Sequence, residues 1–157
     1  MFRLTDLSDI NFTQLFNLAP NPYVILDREF SIIGLNDAYL AVTGRSREEL
    51  IGKNMFEAFP SEDGSASGRM LRQSLDKVFD TGLVDHLPLI PYPIPDGEGG
   101  MLERFWSATH TPIVTHEQDV RFVLQNTVDV TELQRLRASA GDGLKVQTDL
   151  MKRADAV

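Results

Sequence analysis

The apolar positions of this chain change period several times along its length, and each change predicts a new element. Phe12, Leu15, Phe16 and Leu18 follow Asn11 at helical spacing, with Gln14 three residues after the cap, and Pro20 and Pro22 end that helix. Leu4, Leu7 and Ile10 before it fit a short amphipathic lead-in. Tyr23–Leu26 and Phe30–Ile33 read as two short strands of a hairpin around Asp27-Arg28-Glu29. Asn36 caps a short helix that Gly44 closes, and Ser46 with Glu49 forms a capping box before Gly52. Met55-Phe56 and Phe59-Pro60 suggest a buried irregular turn, and residues 61–68 a surface loop.

The second half is more regular. Leu71, Leu75, Val78 and Phe79 form one stripe of a helix over about 69–81, stopped by Gly82. Residues 83–94 are extended, but Pro88, Pro91 and Pro93 restrict them to an edge or bulged strand. Asp96–Gly100 is a turn. Residues 102–114 and 120–128 are two long strands joined by 115–119. Only Asp129 and Val130 separate the last strand from a helix start at Thr131, which has Gln134 three residues on. A strand that enters a helix without a Gly or Pro hinge can pass a displacement along. Leu133, Leu136, Ala140, Gly143, Gln147, Leu150, Ala154 and Val157 then alternate steps of three and four, an imperfect heptad weakened by Gly141 and Gly143. This order predicts an α+β fold with an antiparallel sheet, divided into an N-terminal helical cap (1–19), a core (20–130) and a linker helix (131–157).

Composition narrows the classes of function. The net charge is -8, and residues 132–157 carry five Lys/Arg against four Asp/Glu, so the acidity lies in the body. That argues against nucleic acid or an anionic membrane as a partner. No apolar run reaches membrane-spanning length, so the expected location is cytoplasmic with no direct membrane contact. With no cysteine there is no disulfide, thiolate metal site or covalently held flavin. No phosphate loop, paired metal ligands or nucleophile elbow stands out, and the Gly97–Gly100 turn is not followed by a helix. The residues point to a non-enzyme.

Four marks in this order resemble the PAS domain: Leu18-Ala-Pro-Asn-Pro-Tyr-Val-Ile-Leu-Asp27, Asn36 through Gly44, Ser46-Arg-Glu-Glu-Leu-Ile-Gly52, and the closing Asp129-Val-Thr131. Glu103-Arg-Phe-Trp-Ser107 with Thr111-Pro-Ile113 looks like the N-terminal PAS modules of bacterial sensor histidine kinases. The resemblance implies a five-stranded antiparallel sheet, flanking short helices around a small cavity, and a C-terminal signalling helix leading to an output domain of a longer parent. In flavin-binding light-oxygen-voltage members a residue two before the closing Asp faces the cofactor; here that is Thr127. Alternation from that anchor puts Val123, Gln125 and Thr127 inside. The resemblance puts Phe105, Ser107 and Thr109 beside them. Tyr39, Phe56, Leu71 and Leu75 are expected on the helix side. Such a lining suits a small, partly polar metabolite or water.

The outer face would then carry Trp106, Phe122, Leu124 and Val128. Leu15 and Phe16 of the first helix, or a second copy in a parallel homodimer with Leu133 and Leu136, would cover it. Thr131 is expected to cap the exit helix by accepting from the amide of residue 133 or 134, with Gln134 reaching back and Asp129 paired to Arg104. The helix over 69–81 has no histidine to hold haem, and His86, His110 and His116 lie elsewhere. Two functions remain open: a sensory input module, with a histidine kinase as the expected output, and a ligand-free dimerisation scaffold.

Overall fold

The computed structural model describes residues 8–60, 65–115 and 117–141. The lead-in before residue 8, the heptad beyond 141 and His116 lie outside them. Five strands form one antiparallel sheet in the order β2-β1-β7-β6-β3, with ranges β1 Tyr23–Leu26, β2 Ile32–Leu35, β3 Asp85–Pro91, β6 Phe105–Val114 and β7 Val120–Asp129. A small pair, β4 (Ile94–Pro95) and β5 (Met101–Leu102), closes the connection between β3 and β6. The proline-bearing β3 takes an edge position, where missing ladder donors cost least, and its register shifts between Leu87 and Ile90.

The helices follow their caps. Asn11 accepts from the amide of Gln14 at the start of α1 (Phe12–Leu18), and Ser46 and Glu49 form the reciprocal box of α3 (Arg47–Leu50). Asn36 does more than cap α2 (Asp37–Thr43). Its fully buried Oδ1 accepts from Tyr23 and Tyr39 amides, and its Nδ2 donates to the carbonyls of Asn21 and Ala19. One side chain thus ties the entry of β1 to α2, and each bond it makes replaces one to water. The supposed irregular turn at Met55 is a one-turn helix, α4 (Met55–Ala58), capped by Asn54. The long helix α5 runs over Ala66–Thr81. It starts at a Ser65 cap, earlier than the stripe suggested, and ends on Gly82 at φ 68°. The second hairpin strand also starts later than read, because Phe30 sits in the turn at φ 64°. Helical backbone resumes over 131–141, here termed α6.

One face of the sheet packs on α2, α4 and α5. Val24, Leu26, Ile32, Leu35, Leu50, Leu75, Val78 and Val123 are buried there. The β6–β7 pairing corrects the inward face that the resemblance implied for β6. Val114 pairs with Val120, but Ile113 pairs with Phe122, so Arg121 is an extra residue on β7. Carrying the Val114–Val120 register on unbroken would set Ser107 opposite Thr127 and Thr109 opposite Gln125, the face assumed from sequence. The bulge moves the partners by one: Ala108 faces Thr127 and His110 faces Gln125. Since opposed residues share a face, Trp106, Ala108 and His110 turn inward, and all three are buried. Phe105, Ser107 and Thr109 turn to the outer face. The bulge also lets both Val120 and Val123, three apart, enter the core.

Candidate functional site

Between the inner sheet face and the helices lies a cavity of about 60 Å³. That is room for a few waters or a small solute. Tyr39 and Thr43 of α2, Met55 of α4, Phe59 and Leu71 form its helix side. Ile90, Tyr92, Ile94, Trp106, Ala108, Gln125 and Thr127 form the rest. Among the ten pocket residues expected from sequence, Tyr39, Leu71, Gln125 and Thr127 line it. Leu75 and Val123 lie in the adjoining core, and Phe56 packs against that core under the guanidinium of Arg72, 3.9 Å from its ring. Phe105, Ser107 and Thr109 do not reach the cavity, for the register reason above. Thr109 instead meets His86 Nδ1 at 2.8 Å on the outer face.

Most donors around the cavity are already used. Trp106 Nε1 donates to the Tyr92 carbonyl at 2.9 Å, the Tyr92 hydroxyl to the Phe59 carbonyl, and the Thr43 hydroxyl to the Tyr39 carbonyl at 2.9 Å. No Lys, Arg, Asp or Glu lines it. Burial raises the Tyr39 phenol above its ordinary value, so it stays neutral.

Behind the cavity runs a polar chain that sequence reasoning missed. Gln125 Nε2 lies 2.8 Å from His110 Nε2, and His110 Nδ1 lies 2.7 Å from Ser74 Oγ. Ser74 Oγ is 2.6 Å from Asp85 Oδ2, and Asp85 Oδ1 meets Lys77 Nζ at 3.2 Å. His110 is fully buried and Gln125 is 1% exposed. The sequence held one signal: Ser74 falls on the Leu71–Leu75–Val78 stripe, a hydroxyl at a core position. Burial lowers His110 to a pKa of about 4, opposed only in part by Asp85, so the imidazole is neutral at pH 7. The Ser74 hydrogen bond, then Lys77, holds the Asp85 carboxyl below its ordinary value despite partial burial. Both ring nitrogens of His110 are engaged and His86 faces outward, so neither offers an axial ligand to haem in the cavity. Among the described residues no cluster of three or more potential metal ligands occurs.

At the end of β7 the junction differs from the expected cap. Thr131 is buried and turns back to the sheet. Its hydroxyl accepts from the Phe105 amide at 2.9 Å and donates to Asp129 Oδ1 at 2.5 Å, while its own amide donates to the same oxygen at 2.9 Å. Asp129 therefore satisfies a first-turn donor, and the hydroxyl is spent on β6 rather than on residue 133 or 134. The Gln134 amide bonds the Val130 carbonyl, and Val130 donates to the Phe105 carbonyl at 2.8 Å. Arg104 Nε lies 3.5 Å from Asp129 Oδ2.

On the outer face Trp106 is absent, because the bulge buries it. Phe16 stacks on Tyr23. Phe122 and Leu124 are half-buried, while Leu15, Val128, Leu133 and Leu136 are exposed.

The family model described as PAS fold matches residues 16–135. An uncharacterized protein, y4lL, of Sinorhizobium fredii is 24% identical over 132 residues, covering 83% of this chain. The chain spans 15% of that protein's length. The structure of an RNA-binding light-oxygen-voltage receptor superposes with a TM-score of 0.69 at 18% identity, over 97% of this chain and 40% of that one. The PAS domain of Bordetella pertussis BvgS gives 0.61 at 20% identity, over 86% and 95%. A sensory box sensor histidine kinase from Vibrio cholerae gives 0.52 at 18%, over 81% and 95%.

The depressed His110 pKa has a stability consequence. Between about pH 6.5 and pH 4 the unfolded chain binds a proton on this residue that the folded chain does not. Stability should therefore fall as pH drops through that window, by on the order of 3 kcal/mol when complete. Urea unfolding from pH 7 to 4.5 should show a steeper loss for the wild type than for His110→Phe. Equal slopes would mean that His110 is not buried neutral.

Proposed function

The chain belongs to the PAS family, and on that premise we propose that it is a sensory input module. A small molecule in the cavity changes the packing of β6 and β7, and the change passes into α6 and on to an output domain of a longer protein. A histidine kinase is the proposed output, in line with the sensory box relative from Vibrio cholerae. The family is typically sensory and non-catalytic. One observation carries this reading. The strand that brings Gln125 and Thr127 to the cavity enters α6 directly, and the joint is clamped to β6 by Thr131, Val130 and Asp129 within four residues of the cavity lining.

Light-oxygen-voltage relatives raise the question of flavin. The residues present do not fit its covalent photochemistry, because the sequence has no cysteine. No helix of the described residues is long and apolar enough to cross a membrane. The cytoplasm is the proposed location, which fractionation of cells expressing the full protein checks.

The relay has a test that needs no ligand. Ala108→Val adds two methyl groups on the cavity side of the sheet and should alter hydrogen-exchange protection of amides 132–138. In a Thr131→Val background, which keeps shape but removes the hydroxyl and leaves the Phe105 amide unpaired, local stability should drop by about 1–3 kcal/mol. There the response to Ala108→Val should shrink. Identical responses in both backgrounds would sink the relay.

The exposed apolar side chains favour a second component, a parallel homodimer. Val128 is 43% and Leu136 61% exposed beside half-buried Phe122 and Leu124, an outer face that a second copy would cover. A scaffold without ligand would need only this face. Light scattering should give a dimer at high micromolar concentration and a monomer for Leu124→Glu; a monomeric wild type removes dimerisation from the proposal.

A further inference from the structure

The polar chain behind the cavity has a direction, and that direction selects a class of ligand. Asp85 fixes it. Its carboxylate is ionised and paired to Lys77, so the 2.6 Å contact between Ser74 Oγ and Asp85 Oδ2 requires the hydroxyl proton to lie between the oxygens. A serine hydroxyl has one proton. At its other contact, 2.7 Å from His110 Nδ1, Ser74 must therefore accept, and the proton sits on Nδ1. A neutral imidazole carries a single N–H, so Nε2 is the acceptor, and the Gln125 group 2.8 Å away must be its NH2. Turning the amide over would set two acceptors against each other. Each proton shared within the chain is thus donated towards Asp85, and only the second N–H of the Gln125 amide takes no part in it.

Gln125 is the member of this chain that lines the cavity, and its Oε1 is buried without a partner. Such an unpaired acceptor is costly and cannot be relieved by an amide flip, because Asp85 holds the order of protons from the far end. We propose that the cavity binds a small neutral molecule through a hydrogen-bond donor, an N–H or O–H directed at Gln125 Oε1, and discriminates against anions and acceptor-only molecules of the same shape. The rest of the lining fits this class. The donors of Trp106, Tyr92 and Thr43 are spent on backbone carbonyls, the Tyr39 and Thr127 hydroxyls can accept as well as donate, and no cationic side chain is present to receive an anion. Primary amides and short alcohols meet the requirement in size and polarity. This assignment rests on the sensory reading of the cavity and names what that cavity reads.

Acetamide, acetone and acetate test it, since they share a four-heavy-atom shape that the cavity volume admits but differ in donor and charge. Titration of the 15N-labelled protein, followed at the amides of Tyr39, Ala108, Gln125 and Thr127, should show acetamide binding about tenfold or more tighter than either of the others. Ser74 does not line the cavity, and Ser74→Ala releases the His110 tautomer and lets the Gln125 amide turn. The preference for acetamide over acetone should then collapse towards one, an effect that a merely structural serine would not produce. Acetone or acetate binding as well as acetamide, or a preference that survives Ser74→Ala, overturns the donor assignment and leaves the sensory reading in place. If none of the three shifts the cavity amides, the cavity is not a ligand site and both readings fail.

Discussion

The register between β6 and β7 decides what this domain presents to its interior. A single extra residue, Arg121, between Val120 and Phe122 moves every later pair by one, and a one-residue slip in an antiparallel ladder exchanges the two faces of a strand. Because of it, Trp106, Ala108 and His110 join Gln125 and Thr127 inside. Without it the inner face would carry Ser107 and Thr109, His110 would meet solvent, and no path would run from Asp85 to the cavity. The core supports the bulge in return: Val120 and Val123 are both buried, which a regular strand forbids at a spacing of three.

That inward set combines two kinds of interaction. Most of the contact between sheet and helices is apolar and nondirectional, and it yields stability without specifying one arrangement of protons. The Asp85–Ser74–His110–Gln125 chain adds direction. Each internal link is satisfied, its outer end is held by a surface ion pair, and its inner end stops at an unpaired oxygen. A sensor needs such an imbalance, because only a group that gains more from ligand than from its resting surroundings can shift an equilibrium. The same β7 strand is anchored to α6 by Asp129 and Thr131, so the strand that lines the cavity also begins the exit helix.

Local signals were legible in the sequence where the physics is local. The caps at Asn11, Asn36 and Ser46, the stop at Gly82 and the edge position of the proline-bearing strand follow from residue chemistry within a few positions. Alternation correctly placed Val123 and Gln125 inside on β7. The resemblance implied the opposite face of β6, because a strand's period fixes which residues share a face, while the partner's register fixes which face that is. The register depends on a bulge that no residue type announces: Arg121 is neither Gly nor Asn. Thr131 misled for a related reason. A Thr at a helix start reads as a cap, yet here β6 lies close enough for the Phe105 amide to claim its hydroxyl. The polar chain spans α5, β3, β6 and β7, so only the assembled fold brings its members together.

His110 is buried, and the chain requires it to be neutral with its proton on Nδ1. Long-range 1H–15N correlation spectra of the imidazole ring at pH 7 test it most directly, because the two ring nitrogens resonate differently when protonated and when bare. His110 should give the pattern of a neutral ring with the proton on Nδ1 and a bare Nε2, and keep it as the pH falls to 5.5. A proton on Nε2, or an imidazolium pattern appearing near pH 6.5, would contradict both the inward register of β6 and the direction of the chain.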